Sequence, residues 1–265
     1  MEVRKAIIPA AGLGARLLPL SEKAPKELFP LGRHRVMDYA IREAAWSGIE
    51  EVCIVVSPQK GQIRERYGGD HQRLVRELGD IPGTMNISFV EQNRPRGLGD
   101  AIWTARAFTD GQPFAVLLPD NVFLANVPPT GQLKKLFAER PACCVGTMRM
   151  PANQAIFFAS SRKLLYQEVD PGVYKVERFL DDDPSPAQAG EIRSIGRYIL
   201  TAEFYDYCGR ARANVREELR ETDVLGEYLA DGKELYGALI DGERFDTGSM
   251  EGYCKAFVSF VDRGL

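Results

Sequence analysis

Hydrophobic and polar positions alternate in two registers along this chain. Short apolar runs at Ala6–Pro9, Val52–Val56, Ile87–Val90 and Phe114–Leu118 read as buried strands. Between them lie helix-like stretches. Met37–Gly48 places Met37, Ala40, Ile41, Ala44 and Ala45 on one stripe and stops at Gly48. Gln62–Tyr67 and Arg73–Leu78 predict polar helices, and Gly99–Phe108 another. This alternation over residues 3–125 predicts a mostly parallel sheet covered by helices, with ligands expected beyond the carboxyl ends of its strands. The second half is more mixed. Cys143–Arg149, Leu164–Val169, Val173–Phe179, Ser194–Leu200 and Leu235–Ile240 predict strands, and Phe204–Cys208, Glu221–Ala230 and Gly252–Val261 predict helices. The acidic, proline-rich run 181–189 reads as a surface loop. With no repeat and no convincing linker, residues 1–265 are expected to form one α/β domain. Its pattern changes near residue 125, dividing it into halves of approximately 1–125 and 126–265.

Bulk properties narrow the function classes. A chain of 265 residues with 45% hydrophobic and 27% charged residues can bury a substantial core. A net charge of −3 gives no support for nucleic-acid binding. Five cysteines, an odd number with no C-x-x-C pair, argue for a reducing, cytoplasmic setting, and two histidines give no zinc spacing. No apolar run has signal-peptide or transmembrane character, so no membrane association is expected.

The chemistry is concentrated at the start. Lys5-Ala6-Ile7-Ile8-Pro9 runs into Ala10-Ala11-Gly12-Leu13-Gly14-Ala15-Arg16, and Lys26 follows in Ala24-Pro25-Lys26-Glu27-Leu28. Glycines let backbone N–H groups close on an anion, and two cations lie just beyond. A plain strand-to-helix turn would use the same glycines. The standard phosphate loop is absent, and Leu17 stands where a dinucleotide fingerprint needs its third glycine. Asp120, after Phe114-Ala115-Val116-Leu117-Leu118-Pro119, and Asp246, in Arg244-Phe245-Asp246-Thr247-Gly248, are carboxylates suited to Mg²⁺. Each also fits a helix cap or an Asx turn.

The whole string Ala10–Pro30 resembles the nucleotide-binding signature of the sugar-1-phosphate nucleotidyltransferases, and most nearly their bacterial uridylyltransferase branch. The resemblance runs roughly from Val3 to Phe260 and implies a nucleotide-binding half over approximately 1–125 and a sugar-phosphate-binding half over 126–265. It implies a Rossmann-like mixed sheet of the nucleotide-diphospho-sugar transferase type. It also implies Mg²⁺-dependent transfer from a nucleoside triphosphate, UTP or dTTP, to a sugar-1-phosphate, and a homo-oligomer. Ala10, Ala11, Gly12, Leu13 and Gly14 then hold nucleotide, Arg16 and Lys26 are catalytic, and Asp120 and Asp246 bind the metal. Gln92-Asn93-Arg94-Pro95-Arg96-Gly97-Leu98-Gly99 matches the family's Gln-x-x-x-x-Gly-Leu-Gly. Gln92 and Gly97 would meet a pyrimidine, the amide pairing a donor and an acceptor with the base edge. A glycine-rich loop before a helix would read the same way.

The acceptor half departs from the family. Val176-Glu177-Arg178-Phe179 stands where Val-Glu-Lys-Pro is expected, so Glu177 would hold sugar hydroxyls and Arg178 would replace a lysine at the sugar phosphate. An exposed strand face accounts for both charges equally, and Lys175 is an alternative cation. Phe158 stands where the uridylyltransferases keep a glycine beside the sugar, Glu218-Leu219-Arg220-Glu221-Thr222-Asp223 carries added charges, and 68–86 is short. Ser194–Leu200, with Gly196 beside the sugar phosphate, stays close to the family. These changes imply the same reaction on a different sugar. A weakly active regulatory homologue that binds nucleotide, and an enzyme of polyol or cyclitol phosphates, remain alternatives.

Overall fold

The computed structural model describes residues 2–69, 71–79, 81–82, 85–151, 161–180, 188–214 and 218–265. Strands β1 (Lys5–Pro9), β2 (Pro30–Leu31) and β3 (His34–Arg35) lead into helix α1 (Val36–Trp46). Next come β4 (Glu51–Val56), α2 (Gly61–Tyr67), α3 (His71–Leu78), β5 (Asn86–Glu91), α4 (Leu98–Thr104), α5 (Arg106–Thr109) and β6 (Phe114–Leu117). The second half contains β7 (Asn121–Leu124), α6 (Pro129–Glu139), β8 (Cys143–Arg149), β9 (Leu164–Asp170), β10 (Val173–Phe179) and β11 (Ile192–Leu200). It ends with α7 (Phe204–Asn214), α8 (Glu221–Ala230), β12 (Leu235–Leu239), β13 (Glu243–Asp246) and α9 (Met250–Asp262).

Among the described residues, one nine-stranded sheet has the order β5-β4-β1-β6-β11-β8-β12-β10-β9. β11 and β10 run against the other strands, so the sheet is mixed and mostly parallel, as the alternating pattern predicts. It continues without a break past residue 125. The chain runs from β1 outward to β4 and β5, then crosses to β6 on the other side of β1. That reversal opens a crevice at the carboxyl ends of β1 and β6.

Period-2 alternation sends side chains of the central strands into two cores. Ala6, Ile8, Val52, Ile54 and Val56 pack under α1, α2, α3 and α6. Ile7, Cys53, Val55 and Val116 pack under α4, α7 and α8. The short pairs β2–β3 and β7–β13 go beyond the sequence pattern, as does helix α6, although its Leu133, Leu136 and Phe137 have helical spacing. The helix expected over Gly99–Phe108 is broken at Ala105 into α4 and α5. The run 181–189 falls largely outside the described residues.

A third, smaller core fixes the functional loop. Leu17, Phe29 and Leu31 from the long β1–α1 connection pack with Val122, Phe245, Ala256 and Phe260. Helix α9 thus clamps the connection that carries Arg16 and Lys26. All five cysteines are free thiols, and among the described residues no helix is long and apolar enough to cross a membrane. Phe260 is completely buried against Tyr39 and Phe245, with ring centroids 5.3 Å from each. Phe260→Ala is expected to cost about 3–5 kcal/mol, read as a lower urea midpoint, and to loosen the β1–α1 connection, read as faster proteolysis within it.

Candidate active site

The connection after β1 is built by one buried lysine. Ala10 N–H donates to the Val55 carbonyl at 2.7 Å, and the Ala10 carbonyl accepts from Lys60 Nζ at 2.8 Å. Lys60 also donates to both Glu27 oxygens at 2.9 Å, and Glu27 is 1% exposed. Burial lowers the Lys60 pKa despite the Glu27 charge. One ammonium therefore ties the end of β1 to the residue after Lys26. Nothing in the sequence pattern singles out Lys60, whereas Glu27 lies within the motif string. Beyond Ala10, the N–H groups of Ala11, Gly12, Leu13 and Gly14 bond no described residue. Of these, Gly12 and Leu13 are exposed, Gly14 is half-buried and Ala11 is buried, while both backbone groups of Ala10 are engaged. A Cβ on Gly12 would meet nothing within 4 Å, and Gly14 holds φ +72°.

Lys26 does not stand open. Its Nζ donates to Asp120 Oδ2 at 2.5 Å. Burial would lower the Lys26 pKa, but the charges of Asp120 and Glu27 outweigh it and raise the value. Burial would raise Asp120, but Lys26, Arg16 and Arg244 hold it below the usual carboxylate range.

Asp246 approaches from β13, which pairs antiparallel with β7 so that Asp246 faces Asn121. Thr247 N–H and Oγ1 donate to the Asp120 carbonyl at 2.7 and 3.0 Å, and Gly248 N–H donates to Asp246 Oδ1 at 3.0 Å. The decisive geometry is at Gly248. A Cβ there would lie 2.9 Å from Asp120 Oδ2, 3.1 Å from Arg16 Nη2 and 3.1 Å from Asp246 Oδ1. Residues remote in sequence thus surround one glycine-lined point, with two carboxylates and a guanidinium facing it.

Two arginines that the sequence reading did not assign hold this arrangement. Arg244 Nε donates to Asn121 Oδ1 at 2.7 Å, and its Nη2 lies 3.5 Å from Asp246 Oδ2. Burial lowers the Arg244 pKa to about 10. Arg197, 1% exposed, meets both Glu43 oxygens at 2.8 Å and the carbonyls of Leu118, Gly196 and Asn121 at 2.8, 3.0 and 2.7 Å. The segment bearing Asp120 is therefore braced from beneath by backbone contacts. Gly196 belongs to this brace. With φ +67°, its Cβ would meet Asn121 Nδ2 at 2.9 Å and Leu118 Cβ at 3.1 Å.

The Gln92 segment is placed as expected but bonded differently. Gln92 N–H donates to the Val56 carbonyl at 2.9 Å, so Gln92 and Ala10 flank the same end of β4. Gln92 Nε2 donates to Asp100 Oδ2 at 2.9 Å and to the Gly97 carbonyl at 3.2 Å. Both amide protons are thus engaged within the chain, so of the donor and acceptor expected of this amide only the acceptor, Oε1, has no partner among the described residues. Gly97 has a packing reason: φ is +92°, and its Cβ would stand 2.4 Å from the Leu219 carbonyl.

Glu177 and Arg178 are both exposed, although consecutive strand residues ordinarily face opposite ways. A register shift between Val176 and Arg178 accounts for it, with Tyr174, Val176 and Phe179 taking the buried positions. Lys175 pairs with Glu234 at 2.8 Å. A chain of contacts links this hairpin to the carboxylates. Leu180 N–H donates to the Lys163 carbonyl at 2.9 Å, and nearby Ser161 Oγ accepts from Arg244. Phe158 lies outside the described residues.

The nucleotidyl transferase family profile matches residues 5–263. The UTP–glucose-1-phosphate uridylyltransferase of Staphylococcus haemolyticus (strain JCSC1435) is 30% identical over 273 residues, spanning 98% of this chain and 93% of that protein. That of Bacillus subtilis (strain 168) is 30% identical over 276 residues, spanning 98% and 91%. The crystal structure of a UDP-glucose pyrophosphorylase complexed with UDP-glucose superposes with TM-score 0.85 at 26% identity, covering 98% of this chain and 99% of that one. The UTP-bound enzyme of Acinetobacter baumannii shares the fold, with TM-score 0.82 at 24% identity over 97% and 93%.

The Lys26–Asp120 pair sets a pH signature. Asp120, lowered in the folded state, contributes stability that is full above its ordinary 3.8 and is lost as pH falls through the lowered value. Lys26, raised, contributes stability that is full below its ordinary 10.5 and is lost as pH rises through the raised value. Between these limits the pair adds no slope. From pH about 5 to about 3, urea midpoints of the wild type should fall more steeply than those of Asp120→Asn.

Proposed function

The chain belongs to the nucleotidyl transferase family and is a sugar-1-phosphate nucleotidyltransferase; from that premise we propose that it carries out Mg²⁺-dependent transfer from UTP or dTTP to a sugar-1-phosphate other than the glucose type. The observation that carries this reading is the convergence of Asp120, Asp246 and Arg16 on Gly248, with Lys26 on Asp120. Phosphoryl chemistry needs positioned charge more than a covalent catalyst.

The acceptor's phosphate oxygen attacks the α-phosphorus in line. A new P–O bond forms, the α–β bridge breaks, and pyrophosphate leaves with the electron pair. The N–H groups of Ala11–Gly14 hold the triphosphate, and Arg16 neutralises the leaving pyrophosphate. Lys26 releases Asp120 and turns to the charge growing at the α-phosphate. The donor set fits Mg²⁺, which takes one or two carboxylates and completes its shell with phosphate and water. Asp120 and Asp246 would hold it, and the glycine at 248 leaves the room a side chain would fill. Bound there, the ion would supply positive charge to the phosphates of both substrates. Glu177 receives sugar hydroxyls, and Arg178 the sugar phosphate. The acceptor is already anionic at neutral pH, so no general base is required. The fork of Arg178 in place of a lysine supports a changed acceptor.

Pyrophosphate release across a grid of nucleoside triphosphates and sugar-1-phosphates tests the reading. Turnover should appear with UTP or dTTP, vanish with chelator, and favour a sugar other than glucose; silence with every sugar phosphate overturns it. Lys26→Ala should lower kcat by about 10²–10³ with little change in KM for the sugar phosphate. Gly248→Ala should raise the Mg²⁺ concentration for half-maximal rate about tenfold or more while the melting temperature stays near wild type.

A further inference from the structure

Asp100 occupies the third position of α4, directly after Gly97-Leu98-Gly99, and is 5% exposed. A buried carboxylate needs partners, and Asp100 has two. Its Oδ1 accepts from Arg212 Nε at 2.9 Å, and its Oδ2 accepts from Gln92 Nε2 at 2.9 Å. Arg212, on α7, also lies over Trp103, 5.7 Å from the ring centre. A carboxylate can only accept, so it fixes which end of the Gln92 amide turns toward it. The Gly97 carbonyl, a second acceptor at 3.2 Å, enforces the same orientation. Among the described residues nothing donates to Gln92 Oε1, and that oxygen is not a buried atom lacking a partner.

Resting on the nucleotide reading above, we propose that Asp100, held by Arg212, is a positioning residue for base selection. It locks the Gln92 amide so that only an acceptor faces the nucleobase. Uracil and thymine carry a donor, N3–H, on the edge such an acceptor reads. Cytosine carries a bare nitrogen there, and a fixed acceptor facing it leaves two lone pairs opposed. The lock thus selects uracil and thymine against cytosine without distinguishing the first two. The glutamine motif alone does not set this preference, because an unrestrained amide can present either end.

Asp100→Asn reverses one half of the lock. Arg212 keeps the asparagine oxygen, so the new NH₂ meets the Gln92 NH₂ and the enforced orientation is lost. Arg212→Gln leaves the Asp100 acceptor in place. The measurement is titration calorimetry of UTP and CTP with Mg²⁺ on the full chain, which needs no turnover, beside pyrophosphate release with UTP at saturation. Wild type should bind UTP more tightly than CTP. Asp100→Asn should reduce that ratio about tenfold, the scale of one hydrogen bond, while kcat with UTP is largely kept. Arg212→Gln should retain the ratio. If melting shows that Asp100→Asn does not fold, Asp100→Ser removes the carboxylate and leaves only the longer contact to the Gly97 carbonyl to hold the amide, and the ratio must fall there. An unchanged ratio in the folded variant, or no preference in wild type, overturns the inference and leaves the transfer reaction standing. A preserved UTP preference with no pyrophosphate release from any sugar phosphate overturns the reaction instead.

Discussion

The site depends on a guanidinium buried beneath it. Arg197 bonds both oxygens of Glu43 and the carbonyls of Leu118, Gly196 and Asn121. Glu43 in turn accepts from Thr130 N–H and Oγ1 at the start of α6, at 3.1 and 2.6 Å. One ion pair therefore joins α1, α6 and β11 to the segment that presents Asp120. Taking two charges out of water is costly, and the attraction between them repays it only where the remaining donors and acceptors are also satisfied. Here five hydrogen bonds from one guanidinium do that. A hydrophobic pair of similar volume could fill the space, but it could not grip three carbonyls and fix the backbone on both sides of Asp120.

The same logic recurs at the surface of the crevice. Lys60 is set against Glu27, Lys26 against Asp120, Arg244 against Asp246, and Arg212 against Asp100. Except for Arg244 and Asp246, which share β13, each carboxylate is held by a cation from a different part of the chain, so charge pairing and tertiary assembly go together. The pairs fall into two kinds. Lys60–Glu27 and Arg197–Glu43 are closed by further bonds to backbone. Lys26–Asp120 borders the N–H groups of Ala11–Gly14 and the glycine cradle. The first kind builds the site. The second lies where, in the reaction proposed above, substrate charge would arrive and be exchanged for it.

Much of this was legible in the sequence, and what was not has a physical reason. The parallel half followed from short continuous apolar runs separated by helical stripes, because both sheet faces are buried. Arg16, Lys26, Asp120 and Asp246 were named through the family resemblance of the strings around them, since each aspartate by itself fits a helix cap or an Asx turn equally well. Lys60, Glu43 and Arg197 were not, since a buried ion pair is a long-range match between two unremarkable charges. Gly97 and Gly196 were read as ligand positions. Their positive φ angles and close approaches, to Leu219 and to Asn121 with Leu118, show that the fold itself demands glycine there. Glu177 and Arg178 share an exposed stretch only through a register shift that sequence periodicity does not carry.

The Lys26–Asp120 pair also explains how such a site stays folded before its ligands arrive. Two carboxylates converging on one point repel each other, and so do the cations Lys26, Arg16 and Arg244 gathered beside them. Unpaired, either set would shift its pKa or open the loop. Facing each other at 2.5 Å, Lys26 and Asp120 cancel at the centre of the site, while Arg16 and Arg244 lower the Asp120 pKa further. In the reaction proposed above, Asp120 would hold a divalent ion and Lys26 would meet a phosphate, so neither charge would be left unpartnered in low dielectric. The β1–α1 connection is anchored at Leu17, Phe29 and Leu31, so that exchange would ask only for side-chain movement of Lys26.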